Sequence, residues 1–380
     1  MADVYAELIG QERVTQTLRR AVSGARYAMT HAWLFVGPPG SGRSNAARAF
    51  AAALQCPNGG CGECEQCRTT LSGAHPDVTL VRTEKLSIGV KETRQMVYRA
   101  NVAPVQGRYQ IVVLEDADRV TEQGADALLK GLEEPAPRTV WLLCAPSPDD
   151  VIITIRSRCR VVKLATPSDE AVAQLLVERD GVDPALAAHA ARAAQGHVGR
   201  ARGLARSEDA RIRRHEVLSI PARLASVSDC LVAAENLVAN ATADADEICA
   251  SLDEREMAAL KESLGVGGRG TRKSRHAQSA IRELEEEHKT RRKRIIRDSL
   301  DRVLTEFTAF YRDVLTVQTA AGAPLINSDV ADLVQQVARR GKAARTVQIL
   351  DHILTTRTRL EGSVTPQLAL EALLVSIVAS

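Results

Sequence analysis

The stretch Leu34-Phe35-Val36-Gly37-Pro38-Pro39-Gly40-Ser41-Gly42-Arg43-Ser44 constrains the fold more than any other part of the chain. An apolar run rich in β-formers enters a glycine loop, and an alanine-rich run of helix formers leaves it. Strand, loop, helix is the order a phosphate cradle requires, because backbone N–H groups at a helix N-terminus suit an anion. The spacing matches G-x-x-x-x-G-K-[ST] at every position but one, where Arg43 replaces the lysine. The lysine of that pattern is a compact ammonium that reaches the β- and γ-phosphates, and a planar guanidinium is no conservative replacement. The loop therefore speaks strongly for the fold and weakly for hydrolysis. Its candidate nucleotide-binding residues are Gly37, Gly40, Gly42, Arg43 and Ser44, and the sequence leaves open whether they hold ATP or ADP.

Around this loop, apolar runs alternate with helical patterns. Residues 13–23 read as a helix, 42–54 as the helix leaving the loop, and 77–82 as a strand. Residues 88–100 and 125–132 read as helices, and 110–114, 140–144 and 160–164 as buried strands. Such alternation implies a parallel sheet with helices on both faces. After Pro167 the β signal vanishes: 168–205 reads as short helices stopped at Gly181 and Gly196, and everything from about 210 onward is helical. Gly265-Val266-Gly267-Gly268-Arg269-Gly270 reads as a flexible hinge. Beyond it, Ile296, Leu300, Val303, Leu304, Phe307, Phe310 and Val314 mark one face of a long amphipathic helix whose first, charged turns are expected to be solvated.

At 380 residues the chain is long enough for two or three domains. Hydrophobic residues reach 45% but aromatics only 3%, so the core must be aliphatic, which favours helices around a modest sheet. A net charge of +3 does not announce a nucleic-acid binder. The run 291–294 is basic and is a candidate for DNA phosphates, although a solvated helix face explains such a run more often. With no signal-peptide pattern and no apolar run near the length of a membrane span, the expectation is a soluble, cytoplasmic protein.

Two clusters carry chemistry. Cys56, Cys61, Cys64 and Cys67 hold four of the chain's eight cysteines within twelve residues on a glycine-rich loop. Two successive C-x2-C steps allow four thiolates to surround one zinc ion as a tetrahedron, and four thiolates leave no open position for catalysis. The zinc is expected to be structural; the alternative is a set of free or redox thiols. Cys144, Cys230 and Cys249 are expected in the core. The other cluster is Glu115-Asp116, which ends the second buried strand. A hydrolytic phosphate-loop enzyme wants an Asp for magnesium and commonly a Glu to orient water there, and here the order is reversed. Exchanging the side-chain lengths displaces a carboxylate by about an ångström, enough to spoil an in-line geometry.

The series Thr30-His31-Ala32-Trp33-Leu34-Phe35-Val36-Gly37-Pro38, the four-cysteine insertion, His75-Pro76-Asp77, Ala127-Leu128-Leu129-Lys130-Gly131-Leu132-Glu133-Glu134-Pro135 and Ser157-Arg158-Cys159 occurs in that order. It resembles the bacterial sliding-clamp loaders of the AAA+ class, and Thr365-Pro366-Gln367-Leu368-Ala369-Leu370-Glu371-Ala372-Leu373-Leu374 is similar to the end of their collar domain. The resemblance implies an α/β plus all-α protein: a RecA-like parallel-sheet domain with a zinc module over 1–165, a helical lid over 166–210, and a helical collar over 211–380. The segment 265–297 departs from the family pattern.

That family has motor subunits (gamma/tau) that hydrolyse ATP and a non-motor subunit whose nucleotide site is degenerate. Arg43, the Glu115-Asp116 order, Gly199 at the motor's sensor-arginine position (with Arg200 beside it), and the absence of the motor's long extension place this chain with the non-motor kind. The resemblance makes Arg158 an arginine finger acting in trans on a neighbour's γ-phosphate; its bland alternative is a salt-bridged cation between Arg156 and Arg160. Implied partners are the gamma/tau and delta subunits, the sliding clamp (beta), and primer–template DNA met through the assembled complex at the replication fork. No intrinsic ATPase is expected; the alternative is a hydrolytic motor subunit of the same loader.

Overall fold

A computed structural model describes residues 3–83, 87–264, 275–362 and 364–378. The glycine hinge expected at 265–270 lies outside the described residues. The chain divides into two compact units, Met1–Ser207 and Glu208–Ser380.

The first unit runs α1 (Glu12–Val22), β1 (Ala32–Val36), α2 (Arg43–Gln55), α3 (Glu65–Ser72), β2 (Val78–Val81), α4 (Val90–Ala100), β3 (Gln110–Leu114), α5 (Glu122–Glu133), β4 (Thr139–Ala145), α6 (Ile153–Arg156) and β5 (Arg160–Lys163). Three short helices follow, α7 (Asp169–Asp180), α8 (Pro184–Ala194) and α9 (Val198–Arg206). The five strands form one sheet in the order β2-β3-β4-β1-β5, and every pair is parallel.

Strand periodicity explains how the sheet serves two cores. Successive side chains of a strand face opposite ways. Trp33 and Phe35 of β1, Ile111 and Val113 of β3, and Val140, Leu142 and Cys144 of β4 pack with the helices α1, α2 and α3. Their alternates Ala32, Leu34 and Val36, Val112 and Leu114, and Trp141, Leu143 and Ala145 pack with α4 and α5. The unbroken apolar strands of the sequence are thus buried on both sides, as a parallel sheet requires. The alanines of α2 let that helix lie close to the sheet, where Phe50 meets the Trp33 ring edge-on at 4.9 Å.

The second unit is all helical: α10 (Glu208–Arg223), α11 (Val227–Ser263), α12 (Arg275–Gln318), α13 (Ala331–Arg340), α14 (Ala343–Glu361) and α15 (Pro366–Val378). Leu300, Leu304, Phe307, Phe310 and Val314 of α12 form the spine of its core, on the face expected from their spacing. The charged first half of α12 is not simply solvated, however. Arg291 is 8% exposed and donates to Asp253 (2.9 Å) and Glu256 (2.7 Å) of α11, while Arg292 bonds Asp246. His288 also meets Glu256 at 3.0 Å. These ion pairs hold α11 and α12 together where the apolar seam gives out, so most of the basic run is spent within the fold rather than presented to phosphates.

A second buried network fixes the loop before α13. Arg214 of α10, 6% exposed, pairs with Glu306 (3.2 Å), Asp329 (3.1 Å) and the Asn327 carboxamide. Fully buried Asp313 accepts from the Ile326 and Asn327 backbone N–H groups at 3.0 and 2.7 Å. Truncating one member of such a network strands buried charge, so Arg214→Ala is expected to destabilise the chain by about 3–5 kcal/mol. Urea unfolding reads this directly, and a loss below about 1 kcal/mol would mean that water replaces the guanidinium.

Candidate functional site: the phosphate loop, its surroundings and the cysteine cluster

The loop between β1 and α2 has the backbone of an anion cradle. Gly40 and Gly42 take left-handed φ angles of +84° and +88°, which an L-side chain rarely adopts. At Gly37 the need is space: a Cβ there would stand 2.7 Å from Ser41 Oγ and 2.8 Å from the Leu164 carbonyl oxygen.

The groups around this cradle are engaged inside the chain. Arg43 opens α2, but its Nη1 donates back to the Gly37 carbonyl, so the guanidinium curls over the loop instead of reaching beyond it. Burial pulls its pKa below the usual arginine value, against the pull of Cys144, Asp118, Asp116 and Asp150. His197, which caps α9 by accepting from the Arg200 N–H (3.2 Å), lies against Gly40. A Cβ on Gly40 would sit 2.5 Å from His197 atoms. Burial lowers the His197 pKa, and the cations Arg200 and Arg43 lower it further, so the ring is neutral near neutral pH. Ser41 Oγ is buried with no hydrogen-bond partner, and Ser44 is half-buried on the first turn of α2.

Glu115 and Asp116 end β3, and both are held. Arg48 of α2 grips Glu115 Oε1 through Nε (2.9 Å) and Nη2 (2.6 Å), and the Glu115 side chain is 9% exposed. Asp116 accepts from the Thr83 N–H at 3.2 Å and faces Arg119 at 3.8 Å. The fold therefore brings the acidic pair beside the helix that leaves the loop. The donors that fill it, however, are the chain's own. A nucleotide with magnesium fits this arrangement poorly.

Arg158 stands apart from that cluster, between α6 and β5. Its Nη1 donates to the Thr154 carbonyl (2.8 Å) and Ser157 Oγ (3.3 Å), and its Nη2 pairs with Glu133 at the end of α5. The side chain is about one third exposed, so the cation is steered, not buried. Arg156 turns elsewhere, to Asp149 and the Pro148 carbonyl. Cys159, between them and the sheet, is pushed by burial up to about 12 and stays a thiol.

The four cysteines converge. Cys56 closes α2, Cys64 caps α3, and the left-handed Gly59, Gly60 and Gly62 fold the intervening loop. All four Sγ atoms lie within 4.8 Å of one another, with Cys56 at 3.6 Å from Cys61 and 3.7 Å from Cys64. Zn–S bonds of about 2.3 Å in a tetrahedron place sulfurs about 3.8 Å apart, so the donor set fits that ion. Burial works to raise the Cys56 thiol, but the N–H groups of Cys61, Gly60 and Asn58 outweigh it and bring it down to about 6.

Beside this loop, the His75-Pro76-Asp77 stretch ties the cysteine module to the sheet. His75 Nε2 donates to Gln66 of α3, because its Nδ1 already accepts from the Asp77 N–H at 3.0 Å. The Asp77 carboxylate accepts from the Val105, Gln106 and Gly107 N–H groups at 2.7, 2.8 and 2.6 Å. Burial opposes ionisation there, but these three donors and His75 hold the Asp77 pKa below the usual range. Two residues that define the site carried no signal in the sequence: Arg48 and His197 act through partners 67 and 157 positions away. So does Gln11, whose carboxamide spans the Ala165 carbonyl and N–H at 2.6 and 3.1 Å.

Comparison with known proteins agrees with this architecture. Family profiles described as "DNA polymerase III, delta subunit" and "DNA polymerase III, delta subunit, C terminal" match residues 10–168 and 295–378. The delta' subunit of DNA polymerase III from Pseudomonas aeruginosa is 38% identical over 182 residues, 46% of this chain and 52% of that one. The delta' subunit from Bacillus subtilis is 32% identical over 180 residues, 47% of this chain and 54% of that one. The gamma/tau subunit from Mycobacterium tuberculosis is 39% identical over 159 residues, 40% of this chain and 27% of that one. The chain thus spans about half the length of the delta' relatives and about a quarter of the gamma/tau relative. No described helix is long and apolar enough to cross a membrane. With a phosphate-loop sheet in the first unit, a helical second unit, and matches to profiles described as the DNA polymerase III delta subunit in each, the chain belongs to the DNA polymerase III delta-subunit family.

Proposed function

We propose that this chain is the non-motor, delta-prime-type subunit of a sliding-clamp loader. It takes its place in a ring with gamma/tau and delta subunits and supplies Arg158 to the ATP held by a neighbour. The sliding clamp and primer–template DNA are met by the assembled complex. One observation carries this reading: the loop's own cation and both carboxylates are engaged by half-buried or buried groups of the chain, while the Arg158 guanidinium is held at the surface by an exposed partner, Glu133.

The division of labour follows from that contrast. At its own loop the chain offers a neutralised Glu115 and a folded-back Arg43, so it neither orients water nor gathers phosphate charge. At its surface it offers a guanidinium on a short, well-tied turn. When a neighbour's γ-phosphate approaches, the stronger anion displaces Glu133 and the guanidinium meets the charge that develops during transfer. Cys56, Cys61, Cys64 and Cys67 would hold one zinc, which supplies a covalent-strength cross-link between the end of α2 and the start of α3.

The competing reading, a hydrolytic motor subunit, draws on the likeness to gamma/tau proteins. ATP turnover by the isolated chain separates the two. The expected rate is no greater than background, and Arg43→Lys alone does not create one, because Arg48 still holds Glu115. Steady turnover by the wild-type chain that Ser44→Ala abolishes would establish the motor instead.

A further inference from the structure

The α11–α12 pair of the second unit brings together a set of metal-ligating side chains separate from the four cysteines. Asp253 and Glu256 stand three residues apart on α11, and His288 and Arg291 three apart on α12, so each pair shares one helix face. The two faces meet. His288 Nε2 lies 3.0 Å from Glu256 Oε2 and 3.8 Å from Asp253 Oδ1. One ligand atom from each of Asp253, Glu256 and His288 lies within 4.8 Å of the other two. Bonds of about 2.0–2.2 Å from imidazole nitrogen and carboxylate oxygen to one zinc ion set such donors about 3–3.5 Å apart, close to the spacing already present. Burial opposes ionisation of Glu256, but hydrogen bonds from Arg291 and His288 outweigh it and hold its pKa below the usual range, so it is a charged ligand at neutral pH.

Arg291 already bonds both carboxylates, through Asp253 Oδ1 at 2.9 Å and Glu256 Oε2 at 2.7 Å. Its single charge faces two, and His288 approaches the same two oxygens, which leaves Asp253 Oδ2 and Glu256 Oε1 to other ligands. A cavity of about 510 Å³ opens between the same two helices, lined by Glu256, Leu260, Glu283, Leu284 and Glu287. It gives a hydrated cation a way in, room for the waters that complete its shell, and carboxylates on its walls. We propose that Asp253, Glu256 and His288 form a site for a divalent transition-metal ion of the zinc class, which clips α11 to α12. One imidazole and two carboxylates are a donor set such ions accept. His288 ligates through the Nε2 lone pair, with its ring proton on Nδ1. Arg291 repels the ion while sharing its carboxylates, so the site is exchangeable and empties during purification, unlike a four-thiolate set.

The test dialyses the purified full chain against graded zinc(II), reading bound metal by elemental analysis and helix melting by circular dichroism. One equivalent beyond the cysteine-bound zinc is expected, and with it a rise in the melting temperature of the second unit. His288→Gln keeps a hydrogen-bond donor toward Glu256, and Asp253→Asn keeps an oxygen that accepts from Arg291. Each is expected to weaken the added equivalent by at least about tenfold, with melting before zinc addition as in the wild type. His215→Gln, which removes an exposed histidine on α10, leaves the added equivalent unchanged. Cys64→Ser loses the cysteine-bound zinc and keeps the added one. No added equivalent, or one that survives both His288→Gln and Asp253→Asn, would reduce the cluster to an ion-paired clasp. An added equivalent that disappears in Cys64→Ser would belong to the cysteines and equally overturn the proposal.

Discussion

Arg158→Ala is expected to leave the chain folded and able to join its complex, while turnover at the one neighbouring site it faces falls on the order of a thousandfold. A thousandfold corresponds to about 4 kcal/mol of lost transition-state stabilisation. Against this stands the Arg158–Glu133 pair, which must open before the guanidinium can reach a phosphate. Both partners are substantially exposed, and exposed pairs contribute about 0–1 kcal/mol. The gain at the transition state is therefore several times larger than the loss of the resting contact. Arg156→Ala is the control, because it removes an equal charge two residues away that points to Asp149 instead. Clamp-stimulated ATP turnover in the reconstituted complex is the measurement. Equal rates for the two variants would reduce Arg158 to a surface cation.

The elements legible in the sequence are those whose cause is local. β1, β3 and β4 were readable because each is an unbroken apolar run, and such runs suit strands buried on both faces. The helices α7 and α8 were readable because Gly181 and the Gln195-Gly196 pair end them in left-handed conformations. Small shifts have equally local reasons: the expected helix over 88–100 begins only at Val90, because Ile88 bridges Val120 beside the sheet. The four-cysteine cluster was legible from spacing, and its sulfurs do converge.

What the sequence concealed is pairing at a distance. Nothing near Glu115 says that Arg48 will neutralise it, and nothing near Gly40 says that His197 will press on it. The departures at Arg43 and at Glu115-Asp116 indicated a weakened site. The contacts add that each of these groups has another partner within the chain. The partners of Arg291 and Arg292 in the basic run were hidden in the same way, since they lie on α11, some 35 to 46 positions earlier.

Loss of the metal is expected to be the most damaging change to the first unit. The purified chain should carry about one zinc, and Cys64→Ser should abolish it. Structural zinc contributes apparent binding energies of about 10–16 kcal/mol in small modules, comparable with the whole stability of a domain. Here the effect is moderated, because Cys56 and Cys67 also belong to the main apolar cluster shared by α1, α2 and the sheet. That core persists when the ion leaves. What the ion is expected to add is a tie between the end of α2 and Cys64, the cap of α3, and so to the helix whose Gln66 meets His75. A loss of at least about 3 kcal/mol is therefore expected, concentrated in the first unit, with the helical second unit melting as before. Cys249→Ala is the control: it removes a buried thiol on α11, outside the cluster, and should leave the zinc content at about one per chain. Elemental analysis alongside chelator-dependent melting decides the matter. Protein prepared under reducing conditions that contains no metal, and that melts identically with and without chelator, would return the four cysteines to being free thiols.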